Sequence, residues 1–264
     1  MRINHDFHIH TKLSLCASRE AEAKRYIEKA REIGLKKIGF ANHFWDEKIP
    51  ANEEFYEIQT FKYNLALKEE LKSLDKSGIE VYFGLEGEYH PVYGVAITPE
   101  TAEQLDFLIV SNSHTHKTMD PSLYEPYEKH AQFMADAYNN ILDSDVSKYI
   151  LAIAHPFEAV CCPYDKQILF NLVPDDTYKA LFTKTAEKGI AVEINTSTFG
   201  KITADNIESY NEFKMFDIAK KCGCKFIFGS DAHSNNDHDK YLNLTDMISE
   251  RVGLTEKDII EFAR

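Results

Sequence analysis

Short apolar runs of strand-forming residues alternate along the chain with longer stretches whose apolar residues recur every three or four positions. INHDFHIH precedes a charged stretch of helical period around residues 19–33, KIGFANH precedes 53–77, and EVYFGLEGEY precedes 99–104. DFLIVSNS then leads to 125–143, YILAIAHP to 175–188, AVEINTS to 206–221 and KFIFGSDAH to 239–250, and a last helix is expected near 255–263. Gly34, Gly78, Gly189 and Gly223 each fall after a helical stretch and before a strand, where a left-handed residue ends a helix at little cost. Seven βα units predict an α/β fold, a barrel-like parallel sheet ringed by helices and one strand short of the eight-stranded form. An open doubly wound sheet is the competitor, but it would gather ligands at one crevice, whereas here many strands offer them.

No Pro-, Gly- or Ser-rich linker interrupts the 264 residues, so a single domain spanning 1–264 is expected. The net charge of −13 repels polyanions, which makes nucleic acid a disfavoured partner. No stretch approaches the ~20 apolar residues that span a bilayer, and MRINHDFHIH lacks the apolar run of a secretory signal; the expectation is a cytoplasmic protein with no membrane partner. Five cysteines, an odd number, fit a reducing compartment better than a disulfide framework. Cys222-Gly-Cys224 has one intervening residue rather than the two of a zinc knuckle.

Candidate metal ligands sit at the C-terminal ends of the predicted strands: His8, His10, His43, Glu86, His114, His155, Asp231 and His233. Loops at that end of a barrel vary while the strands hold their side chains rigidly. In His8-Ile9-His10, residues two apart on a strand share a face and can reach one ion. Asp231-Ala232-His233 repeats the spacing at the last strand, which closure of the sheet would bring beside the first. Glu86 lies where a strand should be buried, and a carboxylate there needs a cation or a pairing partner. Glu88 points the same way, as a second ligand or as a solvated or hydrogen-bonded carboxylate. His114 and His116 offer two registers for the ligand after the fourth major strand.

These phrases resemble the PHP domain, the superfamily named after polymerase and histidinol phosphatase, and they cover nearly the whole chain. Its HxH motif corresponds to His8 and His10, its second-strand histidine to His43, its Gly-x-Glu to Glu86, its Ser-x-His to His114, its His-Pro to His155, and its Asp-x-His to Asp231 and His233. The resemblance implies a distorted (β/α)7 TIM-like barrel holding two or three divalent ions, zinc, iron or manganese. One ion would be held by His8, His10, Glu86 and Asp231, a second by Glu86, His114 and His155, and a third by His43 and His233. Where many members carry a further histidine for the third ion, this chain reads Thr11-Lys12-Leu13-Ser14-Leu15-Cys16. Cys16 is either a soft ligand favouring zinc or iron over magnesium, or a structural cysteine.

The implied activity is hydrolysis of a small-molecule phosphate monoester by a metal-bridging hydroxide, with histidinol phosphate the most familiar substrate of the family. Asp231 is the candidate proton acceptor, His233 or His116 the candidate donor to the leaving group, and Arg19, Lys117 and Asn195 the candidate substrate contacts. Lys12 and Lys201 are further candidate phosphate contacts, and Phe44, Trp45, Phe157, Tyr164 and Phe199 either cover an organic leaving group or serve as packing. A nucleotide or nucleoside bisphosphate is the neighbouring substrate class. An amidohydrolase-like C–N or ester hydrolase is the alternative from another reaction class, although no mid-barrel lysine is offered for carboxylation. A non-catalytic module attached to a nucleic-acid enzyme is a third class, disfavoured by the charge.

Overall fold

The structure, a computed structural model, describes residues 1–51 and 54–264, with the side chains of residues 239 and 240 left aside. Among the described residues eight strands are formed: β1 (His5–Ile9), β2 (Lys37–Phe44), β3 (Glu80–His90), β4 (Gly94–Val95), β5 (Phe107–Ser111), β6 (Ile150–Ala154), β7 (Ala191–Asn195) and β8 (Lys225–Gly229). Seven run parallel in the order β1-β2-β3-β5-β6-β7-β8, and the short β4 turns back antiparallel on β3. Closure comes from the chain just beyond β8. Ile9 bridges Ala232 in parallel, the Asp231 amide donates to the His8 carbonyl at 2.8 Å and the His10 amide to the Ala232 carbonyl at 2.9 Å. The sheet is therefore a nearly closed, distorted barrel, and the open-sheet competitor is excluded.

Helices join the strands on the outside, as the 3.6-residue period requires. In the helix Ala23–Ile33 the buried positions are Ala23, Tyr26, Ile27 and Ala30, a single stripe facing the sheet. Gly34 ends that helix at φ 88°, and Gly78, Gly189 and Gly223 also take positive φ where sequence placed stops.

Local expectations differ from what forms in several places; the stretch expected over 206–221, for one, forms a 3-10 turn Ile207–Ser209 and then the helix Glu212–Lys221. The stretch expected as one helix over 53–77 forms Glu54–Glu57 and then Phe61–Ser73, because Thr60 starts a new helix by accepting from the Tyr63 amide at 3.2 Å; Glu53 lies outside the described residues. Near 255–263 there are two 3-10 turns instead of a helix. There Ile259 bridges Phe226 and the Ile260 amide donates to the Phe226 carbonyl, which commits that backbone to the sheet. The β3–β4 hairpin was not foreseen from the apolar pattern.

The barrel interior is divided by height. Toward the strand N-termini it is filled by aromatic rings: Phe7 lies 5.3 Å from Phe107 and from Phe262, and 5.5 Å from Tyr82. Room for these rings comes from Gly39 and Gly84, where an added Cβ would fall 2.6 Å and 2.4 Å from Phe107. Burying each such ring stabilises the fold by about 1.5–3 kcal/mol. Above this plug the interior becomes polar. Among the described residues no helix is long and apolar enough to cross a membrane.

Candidate metal centre

An irregularity in β1 aims the first two histidines. Its pairing with β2 shifts between Asp6 and Ile9, so strict alternation is broken there and Phe7 and His8 both have their partners inside the barrel. Asp6 has its partners elsewhere, accepting from the His238 ring at 2.8 Å and from the amides of His8 at 3.1 Å and Ser230 at 2.9 Å. Beyond the shift, His8 and His10 bring their Nε2 atoms to 3.1 Å of each other. On the next strands the parallel register sets His43 directly beside Glu86.

Glu86 is the hub. Its carboxylate oxygens lie 2.9 Å from His155 Nε2, 3.0 Å from His43 Nδ1, 3.4 Å from His8 Nε2, 3.5 Å from His10 Nε2 and 3.8 Å from His114 Nε2. Asp231 joins from the far side, with Oδ1 at 3.1 Å from His10 Nε2 and 3.6 Å from His8 Nε2. Three groups of ligand atoms fall within 4.8 Å of one another: His8, His10 and Asp231; His8, Glu86 and His155; and His43, Glu86, Glu88 and His114.

Each of four imidazoles is fixed from behind. His8 Nδ1 meets Glu193 Oε1 at 2.7 Å, His10 Nδ1 meets Ser14 Oγ at 3.0 Å, His155 Nδ1 meets Ser113 Oγ at 2.5 Å, and His114 Nδ1 meets both Glu88 oxygens at 2.9 Å. Such bonds select the tautomer with the other nitrogen bare and pointing at the centre, the arrangement that surrounds bound ions in proteins. Glu193 also accepts from the His155 amide at 2.7 Å, and so ties β7 to two of these residues. Gly229 makes room for it, since a Cβ there would meet Glu193 Oε1 at 2.2 Å and His8 Cβ at 2.5 Å.

Backbone strain collects at the same place. His155 and Asp231 have φ of 27° and 52°, left-handed values that non-glycine residues adopt at a cost of about 1–3 kcal/mol. Burial acts to raise Glu86, Glu88 and Asp231, yet the surrounding imidazoles outweigh it: Glu86 and Asp231 are held well below the usual carboxylate range and Glu88 at about 2. Burial acts to lower His8 and His155, and the carboxylates reverse that, raising His8 well above 6.5 and His155 to about 9. His10, more crowded by other imidazoles, falls to about 3 through burial.

The remaining sequence candidates are placed unequally. His43 and His233 come together with His10 and Cys16 in a fourth group; Cys16 Sγ lies 3.1 Å from His233 Nε2. Of the two strand-end registers, His114 enters the cluster. His116 stands outside every group, its ring 5.9 Å from that of His114 and its buried Nδ1 without a hydrogen bond. Asn195 donates to Asp231 Oδ2 at 3.3 Å. The Lys117 ammonium lies 5.0 Å from the Phe55 ring centre, and Phe55 in turn packs 5.5 Å from His43. Arg19 is exposed in a loop tied to the His233 segment by the Ser18 amide on the His233 carbonyl, at 2.8 Å. Lys12 is exposed and pairs with Glu22 at 3.4 Å, while Lys201 is exposed.

Phe44, Trp45, Phe157 and Phe199 are buried and packed into the apolar clusters. Their place is in the packing. Tyr164 bonds His130 at 2.6 Å. Two aromatic residues beside the centre were missed, Phe55 and Tyr56, whose hydroxyl bonds Glu88, as were Glu193, Ser14 and Ser113. Glu193 had a signal of the same kind as Glu86, a lone carboxylate in the apolar strand AVEIN. The two serines had none.

The donor set suits divalent ions. His8 Nε2 and His10 Nε2 face each other at 3.1 Å, and Glu86 Oε2 and His43 Nδ1 are buried without a hydrogen bond. Buried polar atoms left this way cost about 1–3 kcal/mol each, which a cation would recover.

Comparison with curated protein sequences gives no match. Among solved structures the chain is similar to histidinol phosphate phosphatase from Lactococcus lactis subsp. lactis, solved with zinc, L-histidinol and phosphate. The TM-score is 0.73 at 18% identity, covering 96% of this chain and 94% of that one. It is also similar to a Listeria monocytogenes protein assigned as a histidinol phosphatase, with a TM-score of 0.63 at 14% identity over 89% of this chain and 97% of that one. At these identities the likeness establishes the fold. The family model described as the PHP domain matches residues 6–197, which takes in the motif-bearing strands from β1 to β7. The chain belongs to the PHP domain family.

Proposed function

We propose that the protein is a metal-dependent phosphoric monoester hydrolase acting on a small molecule of the histidinol phosphate kind. The observation that carries this reading is the Glu86 hub: one buried carboxylate within 3.8 Å of five imidazoles, four of them fixed from behind. His8, His10, Glu86 and Asp231 would hold one divalent ion, and Glu86 with His114 and His155 would hold a second. When bound, such ions supply Lewis acidity, which draws charge from phosphoryl oxygens and acidifies water near them.

The protein's own groups have the remaining work. Asp231, restrained by Asn195 and by its left-handed backbone, takes the proton of the attacking water. His116, outside every ligand group, gives a proton to the leaving oxygen; an arriving phosphate dianion raises an imidazole whose pKa burial and the neighbouring His114 and Lys117 hold low. Lys117 and Arg19 contact the phosphate. The chain's charge of −13 favours a small substrate over a nucleic acid.

The amidohydrolase alternative needs a lysine inside the barrel near the ions. Lys37 and Lys225 stand at strand starts, bonded to the carbonyls of Phe262 and Lys257 at the opposite end. The test is direct. With added manganese or zinc the purified protein is expected to hydrolyse a generic aryl phosphate, and His10→Ala to lower the rate by at least about a hundredfold, the loss of several kcal/mol of charge stabilisation. An unchanged rate in that variant would sink the assignment.

A further inference from the structure

Among the described residues His10, Cys16, His43 and His233 bring three imidazoles and a thiol within 4.8 Å of one another, at the edge of the centre where Cys16 is exposed. The other carboxylate-rich groups contain oxygen and nitrogen donors only. We propose that Cys16, His43 and His233 form a thiolate-containing cation site, beside His10, that is selective for zinc, cobalt or ferrous ions over magnesium and manganese. The proposal rests on the reading that the centre holds ions and goes beyond it by fixing the ligand class, and hence the metal, of one position.

Three observations carry it. The thiol is held in place rather than free to swing: the Leu15 amide donates to Gln59 Oε1 at 3.0 Å, Ala17 to the Ser14 carbonyl at 3.0 Å, and Ser18 to the His233 carbonyl at 2.8 Å. That last bond joins the cysteine loop to the histidine loop, so Cys16 Sγ sits 3.1 Å from His233 Nε2. By contrast the sulfurs of Cys222 and Cys224 rest on the backbone carbonyls of Lys179 and Phe182, the ordinary partners of a structural thiol.

The ring of His43, only 7% exposed, spans two groups. Its Nδ1 edge faces Glu86 at 3.0 Å and Glu88 at 3.4 Å without a hydrogen bond, and the ring belongs also to the thiol group. His10, held by Ser14 at Nδ1 and facing Asp231 with Nε2, packs against the site with its ring stacked 4.3 Å from that of His233. A cation there would therefore be coupled to the carboxylate side through the His43 imidazole. Soft sulfur with imidazole donors suits zinc, cobalt and ferrous ions, whereas magnesium and manganese prefer oxygen. Binding exchanges the S–H proton, released to solvent, for the sulfur–metal bond.

The experiment uses the full-length protein stripped of metal and titrated with cobalt(II), followed by ultraviolet absorption and elemental analysis. Wild type is expected to show a thiolate-to-cobalt charge-transfer band. Cys16→Ser should lose the band and one equivalent of cobalt while keeping the rest, and Cys16→His should regain the equivalent without the band. A missing band in wild type, or the same band and stoichiometry in Cys16→Ser, overturns the proposal. Should Cys16→Ser not fold, wild type is alkylated with iodoacetamide and mapped by mass spectrometry. Zinc should protect Cys16 but not the exposed Cys161, magnesium should protect neither, and equal labelling of Cys16 with and without zinc overturns the proposal. A protein that shows the band yet hydrolyses no phosphate ester refutes the proposed function and leaves the thiolate site standing.

Discussion

Glu86 and Glu212 are both buried carboxylates, yet their surroundings hold them in opposite states. Burial acts to raise each. Around Glu86 the imidazoles of His43, His8, His114 and His155 reverse the effect and keep it an anion well below the usual range. Glu212, at the start of the helix Glu212–Lys221, has the Gln167 amide at 2.5 Å and the carboxylate of Glu158 nearby, and it is pushed up to about 7. The two regions share a wall, since one small cavity is lined by His155, Glu193 and Asn195 as well as by Glu158 and Glu212. A buried carboxylate thus stays charged only where cations are gathered for it. The barrel gathers them around Glu86 and its neighbours Glu88 and Asp231, and a preserved buried anion is what a divalent ion requires.

The contrast breaks first at Glu86. Glu86→Gln keeps the shape and removes the charge, leaving the imidazoles without their common partner. A loss of about 3–5 kcal/mol is expected, seen as a fall of about a thousandfold in kcat/KM on an aryl phosphate. Activity within tenfold of wild type would mean that the hub is structural. His116→Ala comes next. Loss of a general acid should cost about a hundredfold on an alkyl phosphate, whose leaving alkoxide needs a proton, and far less on a nitrophenyl ester, whose leaving group does not. Equal losses on both substrates would remove His116 from that role. Glu193→Gln should lower metal affinity or activity by between about ten- and a hundredfold while the protein still unfolds cooperatively, because it frees the His8 ring and the His155 amide together. Metal titration by calorimetry separates that outcome from a general loss of fold.

Much of the Glu86 side was legible in the sequence because its residues break a pattern. A histidine pair, a lone glutamate in an apolar strand and an Asp-x-His at a strand end stand out against periodic apolar runs. Seven βα units then imply that the ends meet. The rest was hidden for physical reasons. Strict alternation does not explain why Phe7 and His8 both have partners inside the barrel; that depends on the irregularity in β1, which is set by pairing with β2. Ser14 and Ser113 act through single hydrogen bonds to imidazoles brought near by the fold, and a serine in a loop looks the same whether or not it makes one. The loop aromatics stayed open between pocket and packing because Phe44 and Phe157 have the composition of either, and only their burial decides it. Glu212 carried no signal, since a glutamate in the first turn of a helix is ordinary.

Glu212 gives the smallest effect and the cleanest sign. Its ordinary value is 4.5 and its value in the folded protein about 7, so the folded state binds the proton more tightly than the unfolded one. The stability this contributes is fully present below about pH 4.5 and is lost as pH rises through 7. Glu212→Gln, neutral at every pH and able to keep the Gln167 contact, should abolish that loss. The Tm of the variant minus that of wild type should therefore grow by a few degrees between pH 4.5 and 8, a change of order 1 kcal/mol in a chain of this size. A difference that stays flat across the interval would show that Glu212 is ionised like a surface carboxylate. Burial without cations would then be insufficient to neutralise it, and the contrast with Glu86 would lose its physical basis.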